Sequence, residues 1–185
     1  VKTIAFLKSS ALALLALFAL SQTAGALTLP VTYNYLTAST IVQTPFNPDD
    51  TLFVDTLVTT EVGPLLQTTV FTVGPDVTGV TAFAAWESTS ASGATPRLVG
   101  VNIDVFDAGN VLIFSDTFQG VLAGFAHGTF EGPIGPGTYS LVATGDAVRT
   151  ASLDISLTFV PEPGTFLMLL SGLGLLGITA RRARA

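Results

Sequence analysis

The chain has a single imidazole, His127, in Ala126-His127-Gly128. A Ser–His–acid triad would need it as the base, yet no Gly-x-Ser-x-Gly elbow accompanies it. A lone histidine in a glycine-rich stretch reads as a surface residue, and metal capture by a histidine cluster is excluded by number. There is no cysteine, which removes thiolate zinc and disulfides together. Glu87 and Glu131 are the carboxylates to test as a glycosidase pair, a chemistry that needs two carboxyls about 5–10 Å apart. Asp49-Asp50 and Asp104-x-x-Asp107 put carboxylates beside turns, where oxygen ligands for calcium converge, although no EF-hand loop is present. Asp104 and Asp107 are the calcium candidates; no other cofactor is implied. Trp86, Tyr33, Tyr35 and Tyr139 could stack on sugar faces. At a two-residue period, however, Trp86 shares a face with Val80 and Ala84, which favours a packing role. These residues assign no catalytic group, and the expectation is a protein that is not an enzyme.

The residues that chemistry is done to are more informative. Val160-Pro161-Glu162-Pro163 precedes an uncharged run, Gly164–Ala180, followed by Arg181, Arg182 and Arg184. As a helix the run would be about 25 Å long at 1.5 Å per residue, the short end of what crosses a hydrocarbon core of roughly 30 Å. Arginines snorkelling to the headgroups make up the shortfall. Their placement after the run predicts a cytoplasmic C-terminus. The two prolines exclude a helix interior and bias Val160 and Glu162 toward extended backbone, the form a protease binds.

The proline-flanked glutamate, the Leu/Gly-rich run and the terminal arginines resemble the PEP-CTERM sorting signal of Gram-negative bacteria, over residues 160–185 only. The resemblance implies passage through the inner membrane, recognition of Pro161-Glu162-Pro163 by an exosortase-type membrane protease and cleavage near that motif. It also implies association with exopolysaccharide or biofilm matrix. The signal divides into motif 160–163, transmembrane helix 164–180 and basic tail 181–185.

The other end carries a second address. Lys2 and Lys8 flank the start of a segment whose apolar heart is Ala11–Leu20, and Ala24-Gly25-Ala26 supplies the small residues of a signal-peptidase site. Residues 1–26 are thus expected to be a signal peptide cut after Ala26. The apolar run is too short for a membrane anchor. These two ends account for part of the chain's 49% hydrophobic content, so fold reasoning is confined to 27–159. That segment has twelve acidic residues against Arg97 and Arg149, and two minus twelve leaves a net charge of −10. No basic stripe meets phosphates, which excludes nucleic acid as a partner.

Residues 27–159 read as strands and turns without a helix. Leu27–Thr40 puts Tyr33 and Tyr35 on one face. Thr51–Glu61 and Gln67–Val73 are separated by Gly63-Pro64. Thr78–Glu87 aligns Val80, Ala82, Ala84 and Trp86. Arg97–Phe106 aligns Val99, Val101, Ile103 and Val105, turns at Asp107–Asn110, and returns over Val111–Phe118. Gly120–Gly137 reads as a glycine- and proline-rich loop with one short strand, Gly128–Glu131. Thr138–Thr144 and Ala151–Phe159 close the domain, the last with Leu153, Ile155, Leu157 and Phe159 on one face. Roughly eight short strands predict an antiparallel β-sandwich of jelly-roll type. The function expected is an exported surface or matrix protein sorted by its tail. The alternative is a secreted carbohydrate-binding module or glycan hydrolase with the same tail.

Overall fold

The computed structural model describes residues 25–58, 61–90 and 92–161. Eleven strands and no helix occur among them: β1 Thr28–Tyr33, β2 Thr37–Ile41, β3 Thr51–Val58, β4 Gly63–Val73, β5 Val77–Glu87, β6 Leu98–Asp107, β7 Leu112–Ser115, β8 Thr117–Leu122, β9 Phe125–Pro133, β10 Gly137–Ala147 and β11 Ala151–Pro161. They form a six-stranded sheet in the order β1-β3-β11-β5-β9-β8 and a five-stranded sheet in the order β2-β4-β10-β6-β7. One core lies between the sheets. Leu52, Val54, Leu153, Ile155, Leu157 and Val80 enter it from the first, and Phe71, Ile103, Val105 and Leu141 from the second. The all-β sandwich expected from alternation is present.

The pairing is mixed rather than wholly antiparallel. β1 runs parallel to β3, and β2 parallel to β4. The reason is connectivity. The chain passes from one sheet to the other over Asn34–Leu36, and again between β3 and β4. Two such arches stacked side by side place like strands next to each other in the same direction. The first crossing also splits the expected Leu27–Thr40 strand: Tyr33 is buried, whereas Tyr35 is 65% exposed.

Where alternation runs unbroken, the faces are as expected. Val80, Ala82, Ala84 and Trp86 are buried, and so are Leu153, Ile155, Leu157 and Phe159. In β6 the pattern breaks. Three residue steps from Val99 to Asn102 face two from Asp146 to Thr144, a bulge centred on Gly100 at φ 60°. The bulge turns Leu98 inward and leaves Val99 on the surface.

The stretch read as a loop, Gly120–Gly137, is mostly strand. β8 and β9 form a hairpin whose turn, Ala123-Gly124, has φ of 51° and 90°, the left-handed pair of a type I′ turn. The glycines of β9 answer tertiary contacts. A Cβ on Gly128 would collide with the Asp116 carboxylate, and one on Gly132 would lie 2.7 Å from the Phe114 ring. Asp116 stands where the chain crosses from β7 to β8. It holds β6 by accepting from Ile103 N at 2.8 Å while its own N–H donates to Ile103 O at 2.9 Å.

Candidate sorting and processing site

β11 is an interior strand, paired with β3 on one side and β5 on the other. Its inward residues are wholly apolar, which fixes its register, and it ends in an aromatic cluster. Phe159 is fully buried, stacked on Phe46 at 4.6 Å between ring centroids and tilted against Phe71 at 5.7 Å. Beyond Phe159 the strand continues: Val160 pairs with Gly79, and Pro161 with Val77 after a register shift. The first proline of the motif is therefore built into the sheet. A proline donates no hydrogen bond, so its place at the last position of a strand costs the ladder little.

The turn before β3 clamps this end. Asp49 N–H donates to Phe159 O at 2.7 Å, and Phe159 N–H donates to Asp50 O at 3.0 Å. Asp49 adopts φ 69° to make the turn, a conformation that Asp tolerates better than most residues. The Asp50 side chain, 4% exposed, accepts from Asn47 N on one oxygen and Leu27 N on the other, both at 2.7 Å. The Asp49-Asp50 pair thus serves the backbone, with both oxygens of the buried carboxylate engaged.

The other candidates do not converge. Glu87 pairs in register with Phe125 and Glu131 with Thr81. Six residues of strand separate them, about 20 Å at 3.3 Å per residue, too far for a glycosidase pair. Glu87 instead meets Arg97 at 3.4 Å. His127 lies half-buried beside Phe83, its Nδ1 3.3 Å from Gly120 O. Asp104 and Asp107, three apart on β6, point to opposite faces. Asp107 Oδ1 accepts from Gly109 N and Val111 N to shape the hairpin turn. Asp104 accepts from Asn102 Nδ2 at 2.6 Å. Among the described residues no group of three or more His, Asp or Glu could hold a metal ion, so the calcium candidates are not brought together.

Of the aromatics weighed for sugar stacking, Trp86 and Tyr33 are in the core, and the Tyr33 hydroxyl donates to Thr68 O at 2.9 Å. Tyr139 stacks on Phe71, and its hydroxyl donates to Gly135 O. Only Tyr35 presents its ring to solvent, in a shallow cleft with Glu61, Val62 and Pro64.

Two acidic pairs escaped the sequence reading because their partners are distant in the chain. Asp154 lies opposite Asp55 on the outer face of the first sheet. Its carboxyl is pushed above the usual range by partial burial first, then by the charge of Asp55 and a hydrogen bond with it. Burial likewise raises Asp116, with Asp104 adding to the effect against the lowering bond from Ile103 N.

A family profile described as the PEP-CTERM protein-sorting motif matches residues 159–184. Those residues are a PEP-CTERM sorting motif. The motif begins at Phe159, one residue before the Val160 expected from the prolines, so it overlaps the last three residues of β11. It implies a secreted protein that is anchored transiently in the membrane and processed by an exosortase. Glu162, Pro163, the apolar run 164–180 expected to form a transmembrane helix, and Arg181, Arg182 and Arg184 lie outside the described residues, as does Ala24.

No curated protein matches the chain in sequence. Among solved structures, it is similar to a lipase from Bacillus licheniformis in propeptide form, with 13% identity and a TM-score of 0.40 over 65% of this chain. The chain spans 25% of that lipase's length. It is similar also to the pre-peptidase C-terminal domain of a Bacillus anthracis collagenase, at 8% identity and a TM-score of 0.37, covering 74% of this chain and all of that one. A periplasmic inhibitor of g-type lysozyme from Aeromonas hydrophila gives 9% identity and a TM-score of 0.38, covering 71% and 99% of the two chains.

Proposed function

We propose that this is a non-enzymatic protein of the cell surface or extracellular matrix of a Gram-negative bacterium, carried out by a signal peptide and released by cleavage of its C-terminal signal. The observation that carries this reading is the continuity of β11 with the sorting motif. The interior strand ends at Pro161, so Glu162 follows directly from the folded domain, and only two residues, Glu162 and Pro163, separate Pro161 from the apolar run. In this reading signal peptidase cuts after Ala26, the helix 164–180 holds the domain at the inner membrane with Arg181–Arg184 in the cytoplasm, and an exosortase cuts near Glu162. The mature sandwich then joins the exopolysaccharide or biofilm matrix. Support for a non-catalytic role comes from the separation of Glu87 and Glu131 and from the engagement of Asp50 and Asp107 in bonds to the backbone.

Replacing Pro161, Glu162 and Pro163 with alanine tests the sorting. The expected outcome is a full-length precursor retained in the inner membrane, while the domain keeps its unfolding temperature to within a few degrees. Unchanged processing and location would overturn it. A glycan array with the secreted protein tests the role, for which selective binding through the Tyr35 cleft would replace a passive matrix component with a carbohydrate-binding module.

A further inference from the structure

Asp50 is the one charged side chain fully buried among the described residues. A carboxylate so enclosed calls for a compensating positive charge or a full set of donors. Its two donors here are backbone nitrogens, Asn47 N and Leu27 N. Among the described residues no cationic side chain bonds to it. The domain's arginines lie at the far end of the sandwich, where Arg97 bonds to Thr150 O just before β11 and Arg149 N–H donates to Arg97 O. From Ala151 to Phe159 is eight residues of strand, about 26 Å. The chain's lysines are Lys2 and Lys8 alone.

One further cation becomes available on maturation, and it arises at an atom already in contact. The Leu27 nitrogen, 2.7 Å from Asp50 Oδ1, is the atom that a cut after Ala26 would expose. Hydrolysis there breaks the Ala26 C–Leu27 N bond. Water gives its hydroxyl to the Ala26 carbonyl and a hydrogen to the nitrogen, which takes a second proton from solvent at neutral pH. An amide donor thereby becomes an α-ammonium. We propose that signal-peptide removal completes the fold of this domain: the new Leu27 ammonium forms an ion pair with Asp50 and supplies a counter-charge that no described side chain provides. The inference rests on the processing site proposed above.

The geometry joins the two processed ends. Leu27 O accepts from Thr51 N at 2.8 Å, and Asp50 O accepts from Phe159 N at 3.0 Å. The turn that receives the new N-terminus is thus the turn that fastens β11, two residues before the sorting proline. The donor gains a full charge and adds Coulomb attraction to a bond that the Asp50 carboxylate already accepts, so N-terminal cleavage tightens the anchorage of the strand that presents the C-terminal motif.

Sequence makes the test unusually clean, because cleavage after Ala26 leaves a chain without lysine, whose sole primary amine is that of Leu27. The full chain is exported in a bacterial host, the processed protein is recovered, and its N-terminus is sequenced. It is then acetylated with an amine-reactive reagent near neutral pH, folded and in denaturant. The folded protein is expected to react at least tenfold more slowly than the unfolded control. Once acetylated, it should melt roughly 3–8 °C lower, the shift that a loss of this class brings to a domain of this size. In Asp50→Asn, acetylation should leave the melting temperature unchanged. If Asp50→Asn does not fold, the acetylation of the unsubstituted protein decides alone. A Leu27 terminus that reacts freely, with no change in melting, overturns the pairing and leaves export intact. A terminus other than Leu27 overturns the pairing and the processing site together.

Discussion

At the scale of single residues, the acidic pairs carry the clearest consequences. Asp55 and Asp154 face each other across β3 and β11, and like charges directly opposite destabilise a sheet. A carboxyl whose pKa is raised in the folded state binds its proton more tightly there than in the unfolded chain. Stability from Asp154 is therefore fully present below its ordinary pKa of 3.8 and is lost as pH rises through its higher folded value. Asp55→Asn should then stabilise the domain at pH 7, by roughly a few tenths of a kcal/mol because the pair is largely solvated. The gain should vanish near pH 3, where Asp154, its pKa raised from 3.8, holds its proton and the like-charge repulsion is gone. Thermal melts of the two proteins at the two pH values check this. Such pairs were not legible in the sequence. Asp55 and Asp154 are 99 residues apart, and only strand order brings them together. Asp50 and Leu27 are hidden for the same reason, whereas Pro161-Glu162-Pro163 could be read at once because its signal is contiguous.

At the scale of elements, sequence patterns named the strands whose faces alternate without interruption. β5 and β11 show apolar residues at every second position, and both lie inside a sheet. The reading failed where one residue serves a distant neighbour. Glycines in β9 look like loop residues, but Gly128 makes room for Asp116 and Gly132 for Phe114. Gly100 shifts β6 by one residue and exchanges the faces of Leu98 and Val99. The β8–β9 turn is the most exacting of these places. Gly124 has φ 90°, and a Cβ there would lie 2.8 Å from Thr89 O and 2.9 Å from Ser90 O. Gly124→Ala should cost about 1–3 kcal/mol from strain and overlap. Denaturant unfolding would measure it, with amide exchange showing the loss first in β8. An unchanged midpoint would contradict the assigned turn.

At the scale of the whole molecule, charge and processing are distributed unevenly along the sandwich. Arg97 and Arg149 occupy one end, and the opposite end gathers Leu27, Asp49, Asp50 and Pro161. In the proposed maturation, export, anchoring and release all act on this one end of the domain. The parallel pairings of β1 with β3 and β2 with β4 follow from where the chain changes sheet, a property of topology that alternation cannot report. The measurement that bears most directly on the account is the intact mass of the protein secreted by its native cells, compared with a strain lacking the membrane protease. The account predicts a chain that begins at Leu27 and has lost the apolar run with Arg181, Arg182 and Arg184, and a full C-terminus when the protease is removed. A secreted chain that still carries Arg184 in both strains would contradict it.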